Sequence, residues 1–189
     1  MNSTLLLLLL GFLMLVVLLN LWMTFRIILT VKYLRLGNDT QEQLPLGAIL
    51  PDFTATKLSD NSITQTTDYR DYAKVWIFLS SACDKCKGKL PQLDRLRPHT
   101  HDAGVYMNIL SEESPRLING FLADTRLQGN TLLIDESTRK AMNPQGASPY
   151  YMFVDNQSIL QAQGFIGDEN WSIFVSQLND SKNKQEAAA

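Results

Sequence analysis

The chain has few of the residues that build metal and haem sites, since its 189 residues include only two cysteines and two histidines. Cys83 and Cys86 have the spacing of half a zinc knuckle, but no second cysteine pair follows. His99 and His101 are separated by one residue, whereas zinc motifs place about three to five residues between their histidines. Covalent haem attachment requires a histidine directly after the second cysteine, and Lys87 stands there. We therefore expect no metal and no cofactor.

The first part of the chain lacks charge, because no charged side chain precedes Arg26. Three of the 17 basic residues, Arg26, Lys32 and Arg35, come before all of the 19 acidic ones. The remainder of the chain is therefore acidic on balance. A nucleic-acid partner is not expected, since such a partner requires a basic surface.

One long apolar run extends from Leu5 to Phe25 and reads LLLLLLGFLMLVVLLNLWMTF. A helix of this length can cross a hydrocarbon core of about 30 Å, and the absence of a polar face argues against a buried core helix. A cleaved signal peptide is the alternative. However, no Lys or Arg precedes the run, the run exceeds the usual length of about 7–15 residues, and no small-x-small cleavage site follows. We interpret the run as an uncleaved membrane anchor, so the lipid bilayer is an expected partner.

The sequence divides into four segments by composition. Residues 1–36 form the anchor and a stalk, because Ile27, Ile28, Val31 and Leu34 recur at helical spacing between basic residues. Residues 37–47 are a polar linker, and residues 48–179 form one domain. Residues 180–189 are a polar tail that we expect to be disordered.

Within the domain, short apolar runs alternate with helical patterns. The run KVWIFLS has no polar alternation, as expected of a central strand that is buried on both faces. A helix is predicted from about Cys83 to Arg97, and another one is predicted with Ser114 as its cap and Pro115 at its first position. Hairpins are predicted for DFTATKL with SITQTT, and for YYMFVD with SILQAQGF turned at Asp155–Asn156. Further strands are GVYMNIL and NTLLID, and further helices are ESTRKAM and DENWSIFVSQL. This alternation predicts an α/β fold around a mixed sheet.

The two cysteines directly follow the predicted central strand, in the stretch FLSSACDKCKGKLP. At the start of a helix, unpaired N–H groups and the helix dipole stabilise a Cys83 thiolate. Lys85 and Lys89 add positive charge nearby, and Asp84 opposes them. Cys86 lies one turn further along the same face, close enough for a disulfide. The pattern predicts a redox pair, with Cys83 as the nucleophile and Cys86 as the resolving thiol. Two inert buried thiols are the alternative.

The order of these features resembles the thioredoxin superfamily. The features are a strand, the CDKC motif, a helix that carries Pro91, and a late strand that begins after Ser148-Pro149. The opening LPDFTATKLSDNSITQTTDY is similar to that of the membrane-anchored TlpA/ResA group and its AhpC/TSA-like relatives. Together with the uncharged N-terminus, the CDKC segment looks most like the MauD proteins of methylamine-utilisation clusters.

The resemblance implies a thioredoxin-like fold, with a mixed central sheet flanked by helices and an N-terminal transmembrane helix. It also implies a thiol–disulfide oxidoreductase that exchanges disulfides with client proteins through Cys83 and Cys86. A further redox partner would reset the pair. Ser148 and Pro149 stand where the family has a cis-proline that faces the disulfide and pairs with an extended client segment.

Three positions depart from the family pattern. Ala82 replaces the tryptophan that precedes the first cysteine in thioredoxins, and Asp84-Lys85 replaces Gly-Pro. Lys89 stands where ResA-like reductases often have a glutamate, and this exchange of a base for a cation favours an oxidant or isomerase over a reductase.

Two other functions stay open. A thioredoxin-fold adaptor would hold a partner without redox turnover. A peroxiredoxin-like peroxidase would need a proline at the position of Trp76, although Ser80 fits that family's hydroxyl residue.

The side of the membrane on which the domain lies is indicated in two conflicting ways. All basic residues near the anchor follow it, which by the positive-inside rule places the domain in the cytoplasm. The resemblance implies the periplasmic side of a bacterial inner membrane, where disulfide exchange takes place. We follow the resemblance.

Overall fold

The computed structural model describes residues 3–36 and 43–188, with side chains for residues 10–26 and 43–181. The chain forms two compact units, Met1–Gln41 and Glu42–Ala189. The first unit contains one helix, α1 (Ser3–Leu36). Among the residues that the structure describes, no helix is long and apolar enough to cross a membrane, and the membrane anchor stays a prediction. The predicted amphipathic face of the stalk lies beyond the described side chains.

The second unit alternates strands with helices, as the sequence predicts. Its elements in chain order are β1 (Thr54–Lys57), β2 (Ile63–Gln65), β3 (Ala73–Phe78), α2 (Asp84–Asp102), β4 (Val105–Ser111), α3 (Pro115–Phe121), β5 (Thr131–Leu133), α4 (Glu136–Met142), β6 (Tyr150–Val154), β7 (Leu160–Phe165) and α5 (Glu169–Ala188).

The seven strands form one mixed sheet in the order β2-β1-β5-β4-β3-β6-β7. The central strand β3 pairs parallel with β4 on one side and antiparallel with β6 on the other. The predicted hairpins are present as the antiparallel pairs β1–β2 and β6–β7. Ser114 occupies the N-cap position of α3, although its side chain makes no capping hydrogen bond, and Pro115 stands at the first position of the helix. The predicted mixed sheet flanked by helices is therefore confirmed.

Strand β3 is buried on both faces of the sheet. Val75 and Ile77 pack into the cluster that includes Leu93 of α2, while Trp76 and Phe78 pack into the cluster on the opposite face. Each such side chain contributes about 1.5–3 kcal/mol through burial. This packing fixes the carboxyl end of β3, and the segment that follows it carries both cysteines.

Helix α2 begins at Asp84 with Cys83 as its N-cap residue. The helix therefore starts at the predicted place, but it ends at Asp102 rather than near Arg97. Pro91 and Pro98 both lie inside the helix, where each removes one backbone hydrogen bond and its ring crowds the carbonyl four residues earlier.

The domain begins earlier than predicted, because part of the predicted linker pairs with β7. The N–H of Gly47 donates to the carbonyl of Leu160 at 2.8 Å, and the Leu160 N–H donates to Ala48 at 2.9 Å. Gly47 has φ of 84°, a value that favours glycine and turns the chain onto the strand. The side-chain amide of Gln163 donates to the Leu44 carbonyl at 2.6 Å. Residues 37–42 of the predicted linker lie outside the described residues.

The end of the chain also differs from the prediction. Helix α5 continues to Ala188, through residues 180–188, which the sequence analysis assigned to a disordered tail. The segment is polar but contains Lys, Gln, Glu and Ala, which are strong helix formers. Polarity alone therefore misplaced the boundary of the last helix.

Candidate functional site

Cys83 occupies the N-cap position of α2 with an extended backbone, φ −102° and ψ 108°. Its sulfur accepts a hydrogen bond from the backbone N–H of Cys86 at 3.2 Å. The turn that leads into the helix is closed by the Cys83 N–H, which donates to the Ser80 carbonyl at 3.1 Å. A sulfur at this position receives a helix N–H that would otherwise lack an acceptor. The local fold thus aims a hydrogen-bond donor at the Cys83 thiolate.

The two thiols differ in accessibility. Both are free cysteines, with Cys83 partly exposed and Cys86 fully buried at 0% exposure. A bulky disulfide can therefore reach only Cys83. This asymmetry fits the predicted roles of nucleophile and resolving thiol, and it does not fit two inert buried thiols.

The accessible thiol is also the more acidic of the two. Partial burial acts to raise the pKa of Cys83, but hydrogen bonds from the thiol and backbone N–H of Cys86 and from the N–H of Lys85 outweigh it and lower that pKa. Burial, followed by the hydrogen bond with Cys83, raises the pKa of Cys86 to about 11. At neutral pH the accessible thiol is therefore the better source of thiolate.

The predicted cis-proline lies beside the nucleophile. The Ser148–Pro149 peptide bond is cis, as the resemblance implies. The Cys83 thiol donates to the Ser148 carbonyl across 3.8 Å. The Pro149 carbonyl accepts from the Ile166 N–H at 3.2 Å. Within the described part of the chain, the backbone N–H of Ser148 has no hydrogen-bond partner. Tertiary folding therefore brings all four predicted cysteine and proline-loop residues together, and client binding by Ser148 and Pro149 stays a prediction.

The charged residues of the motif lie on the first turns of α2. Asp84 and Lys85 are exposed, and Lys89 is half-buried. The Nζ of Lys89 lies close over Gly167, because a Cβ built at that glycine would be only 3.0 Å from it. Lys85 acts on the pKa of Cys83 through its backbone N–H. The electrostatic role of Asp84, Lys85 and Lys89 stays a prediction.

We expect replacement of both Lys85 and Lys89 by glutamine to raise the pKa of Cys83, because a nearby positive charge favours the thiolate. The measurement is a titration of thiolate absorbance in the ultraviolet, at low salt and at about 0.5 M salt, where screening should reduce the difference. Lys87→Gln is the matched control, since Lys87 is exposed on the same helix. An unchanged titration in the double variant would leave these lysines with no role in activating the thiol.

Glu113 is a site residue that the sequence analysis missed. One carboxylate oxygen accepts the Ser81 N–H at 2.8 Å, across 32 residues of sequence, and so holds the turn that precedes Cys83. The other oxygen, Oε2, is buried and has no partner among the described residues. A glutamate after a strand is too common to signal such a contact. Only the adjacency of β3 and β4 brings it to the turn.

Glu113→Ala is expected to destabilise the reduced protein by about 1–2 kcal/mol, because the Ser81 N–H loses its acceptor. Glu113→Gln keeps an acceptor oxygen and should retain most of the stability. Urea unfolding of the full-length variants, followed by tryptophan fluorescence, measures the difference. Equal midpoints for parent, Ala and Gln variants would show that this contact does not stabilise the turn.

The histidines lie at the opposite end of α2 from the cysteines. His99 comes thirteen residues after Cys86 in the sequence, a separation of about 20 Å along the helix axis. The cysteine pair and His99 or His101 therefore cannot bind one metal ion. In the part of the chain that the structure describes, no cluster of three or more His, Cys, Asp or Glu side chains is arranged to hold a metal.

No family model matches the sequence, and no curated protein matches it at a significant level. Solved structures do match the fold. The thioredoxin domain of a thiol-disulfide oxidoreductase from Bacteroides vulgatus superposes with a TM-score of 0.60 at 15% identity, over 71% of this chain and 99% of that one. A thiol:disulfide interchange protein from Bacteroides sp. superposes with a TM-score of 0.61 at 15% identity, over 73% and 93%.

A third match has the thioredoxin family in its description. This thiol:disulfide interchange protein from Chlorobium tepidum superposes with a TM-score of 0.55 at 12% identity, over 64% of this chain and 86% of that one. At these identities the likeness is one of fold. The domain that carries Cys83 and Cys86 therefore has the thioredoxin-like fold, which the solved thiol–disulfide interchange proteins share.

Proposed function

We propose that the protein is a thiol–disulfide oxidoreductase that uses Cys83 and Cys86. The observation that carries this proposal is the difference between the thiols: Cys83 is accessible and has a lowered pKa, while Cys86 is buried beside it with a raised pKa. Solved proteins with this fold are described as thiol–disulfide oxidoreductases or interchange proteins, which supports the same reaction here.

The reaction proceeds in two exchanges. The Cys83 thiolate attacks one sulfur of a client disulfide, the client S–S bond breaks, and the released client thiolate takes up a proton. Cys86 then loses its proton and attacks the sulfur of Cys83, which releases the second client sulfur as a thiol. The client has gained two electrons, and the protein now holds the Cys83–Cys86 disulfide. The reverse sequence oxidises a client dithiol, and a further redox partner resets the pair.

A redox titration of the full-length protein tests this function. The protein is equilibrated in thiol–disulfide buffers of graded potential, and its two thiols are counted by alkylation and mass spectrometry. A reversible two-electron couple is expected. A potential near about −270 mV would indicate a reductase, and one near about −120 mV an oxidant. The adaptor alternative requires that no reversible couple be found.

The cellular setting is a separate part of the proposal. We propose that the apolar run from Leu5 to Phe25 anchors the protein in a bacterial inner membrane, with the domain in the periplasm. The uncharged sequence of the run supports the anchor, and the oxidising environment of the periplasm suits disulfide exchange. Kinship with the methylamine-utilisation MauD proteins is supported by the same N-terminus and by the stretch FLSSACDKCKGKLP. Protease protection of the domain in spheroplasts and in inverted vesicles tests the orientation.

A further inference from the structure

A cavity of about 720 Å³ lies beside the nucleophile, between the first half of α2 and the end of the β6–β7 hairpin. Ser148 and Pro149 form part of its wall, and the Ser148 carbonyl is 3.8 Å from the Cys83 sulfur. The residues around the reacting cysteine of a client can therefore lie along this cavity when that cysteine meets Cys83.

The cavity carries positive charge only. Of the described residues that line it, Lys85, Lys89 and Arg95 are charged and none is acidic. Lys85 and Lys89 are one turn apart on α2, and Arg95 lies six residues further along, about 120° around the helix axis from Lys89. Among the described residues, none of the three is in an ion pair; the guanidinium Nε of Arg95 donates to the Pro91 carbonyl of its own helix at 3.2 Å.

Two acidic side chains on the adjoining segments, Asp94 and Asp168, accept hydrogen bonds outside the cavity, while Asp84 is exposed at the start of α2 and does not line the cavity. Asp94 accepts a hydrogen bond from the backbone N–H of Arg126 at 2.9 Å. Asp168 accepts from the Tyr151 hydroxyl at 2.9 Å and from the Trp171 N–H at 2.8 Å. These contacts hold both carboxylates outside the set of residues that line the cavity.

The opposite wall suits a polypeptide rather than a small anion. Phe165 is 54% exposed and lines the cavity with Pro149 and Ile166, which offers apolar contact. The Ser148 N–H has no partner in the described part of the chain and can pair with an extended backbone. Lys85 and Arg95 are ten residues apart, about 15 Å along the helix, a distance that four or five residues of extended chain cover.

We propose that this cavity selects client cysteines flanked by acidic residues within about five positions in the sequence. The proposal rests on the proposed function and names its substrate class. Carboxylates of the client meet Lys85, Lys89 and Arg95, while the client backbone and apolar side chains meet the opposite wall. Charge complementarity of this kind raises the rate of productive encounter and selects among partners.

The test compares two disulfide-linked peptide dimers of about nine residues per chain, each chain with one central cysteine. One peptide has glutamates on both sides of the cysteine, and the other has glutamines at the same positions. Reduced full-length Cys86→Ser protein is mixed with each peptide. In every reaction the peptide S–S bond breaks, a Cys83–peptide disulfide forms, and one peptide leaves as a protonated thiol. The rate for each peptide is divided by the rate at which the same peptide disulfide reacts with a small uncharged thiol in place of the protein. This division removes the difference between the two peptide thiols as leaving groups.

The acidic peptide is expected to react about five to ten times faster, the ratio that two or three exposed ion pairs give. The ratio should fall towards one at about 0.5 M salt and in the triple variant Lys85→Gln, Lys89→Gln, Arg95→Gln. A change in the pKa of Cys83 cancels from this ratio because both peptides meet the same thiolate. Lys87→Gln is the matched control, and it should keep the full ratio because Lys87 does not line the cavity.

Two results would overturn the proposal and leave the proposed function standing. One is equal rates for the acidic and neutral peptides. The other is a faster reaction with glutathione disulfide than with the acidic peptide, which would make the cavity a site for a small thiol. If Cys83 reacts with none of these disulfides, the proposed function itself fails.

Discussion

Replacement of Cys86 by serine is expected to convert a transient intermediate into a stable one. Cys83 remains able to attack a client disulfide, but no buried thiol is left to displace the client. Mixed disulfides through Cys83 should therefore accumulate close to one per protein molecule, whereas the parent protein should retain almost none. Non-reducing electrophoresis and mass spectrometry of the peptide that contains residue 83 measure the adduct.

Cys83→Ser is the matched variant with the same change at the other sulfur. It should form no adduct and should reduce disulfide exchange to the rate of the uncatalysed reaction, because the remaining thiol is buried and mostly protonated. If Cys83→Ser forms mixed disulfides as readily as Cys86→Ser, or if iodoacetamide labels Cys86 before Cys83, the two roles have been assigned the wrong way round.

The two thiols should also show well-separated pH profiles. With a pKa of about 11, roughly one Cys86 thiol in 10⁴ is ionised at pH 7, about a hundredfold fewer than for a thiol of the ordinary value 9.0. The midpoint of the alkylation profile of Cys83 should lie below pH 9.0, because the pKa of this thiol is lowered. Alkylation of Cys86 should keep rising about tenfold per pH unit towards pH 11. An inflection below pH 9 for Cys86 would contradict the effect of burial.

The same shifts determine how the stability of the reduced protein depends on pH. The pKa of Cys86 is higher in the folded than in the unfolded state, so its contribution is fully present below pH 9 and is lost as the pH rises towards 11. A shift of two units corresponds to about 3 kcal/mol. Cys83 has the opposite effect. Because its pKa is lowered in the folded state, it adds stability at high pH, and this contribution disappears as the pH falls. Urea unfolding measures the free energy of unfolding between pH 8 and about 11. This free energy should fall in the parent as the pH rises, and the fall should be absent in Cys86→Ser.

Much of the site could be predicted from the sequence because its central motif is local. Cys83 and Cys86 are one helical turn apart, so a strand followed by a helix start is enough to place one sulfur at the cap and the other one turn inside. The pairing of Pro149 with the cysteines came from the family pattern rather than from spacing. Glu113 and the basic cavity had no such pattern, and neither was predicted.

The sequence by itself determined the alternation of elements, the buried central strand and the order of the two thiols, because hydrophobic periodicity and helix capping depend on residues a few positions apart. Only the tertiary structure decided which distant residues meet at the site. Ser148 reaches Cys83 across 65 residues and Glu113 reaches Ser81 across 32. Both contacts follow from the strand order that places β3 between β4 and β6, and that order is set by packing over the whole sheet, which no local pattern records.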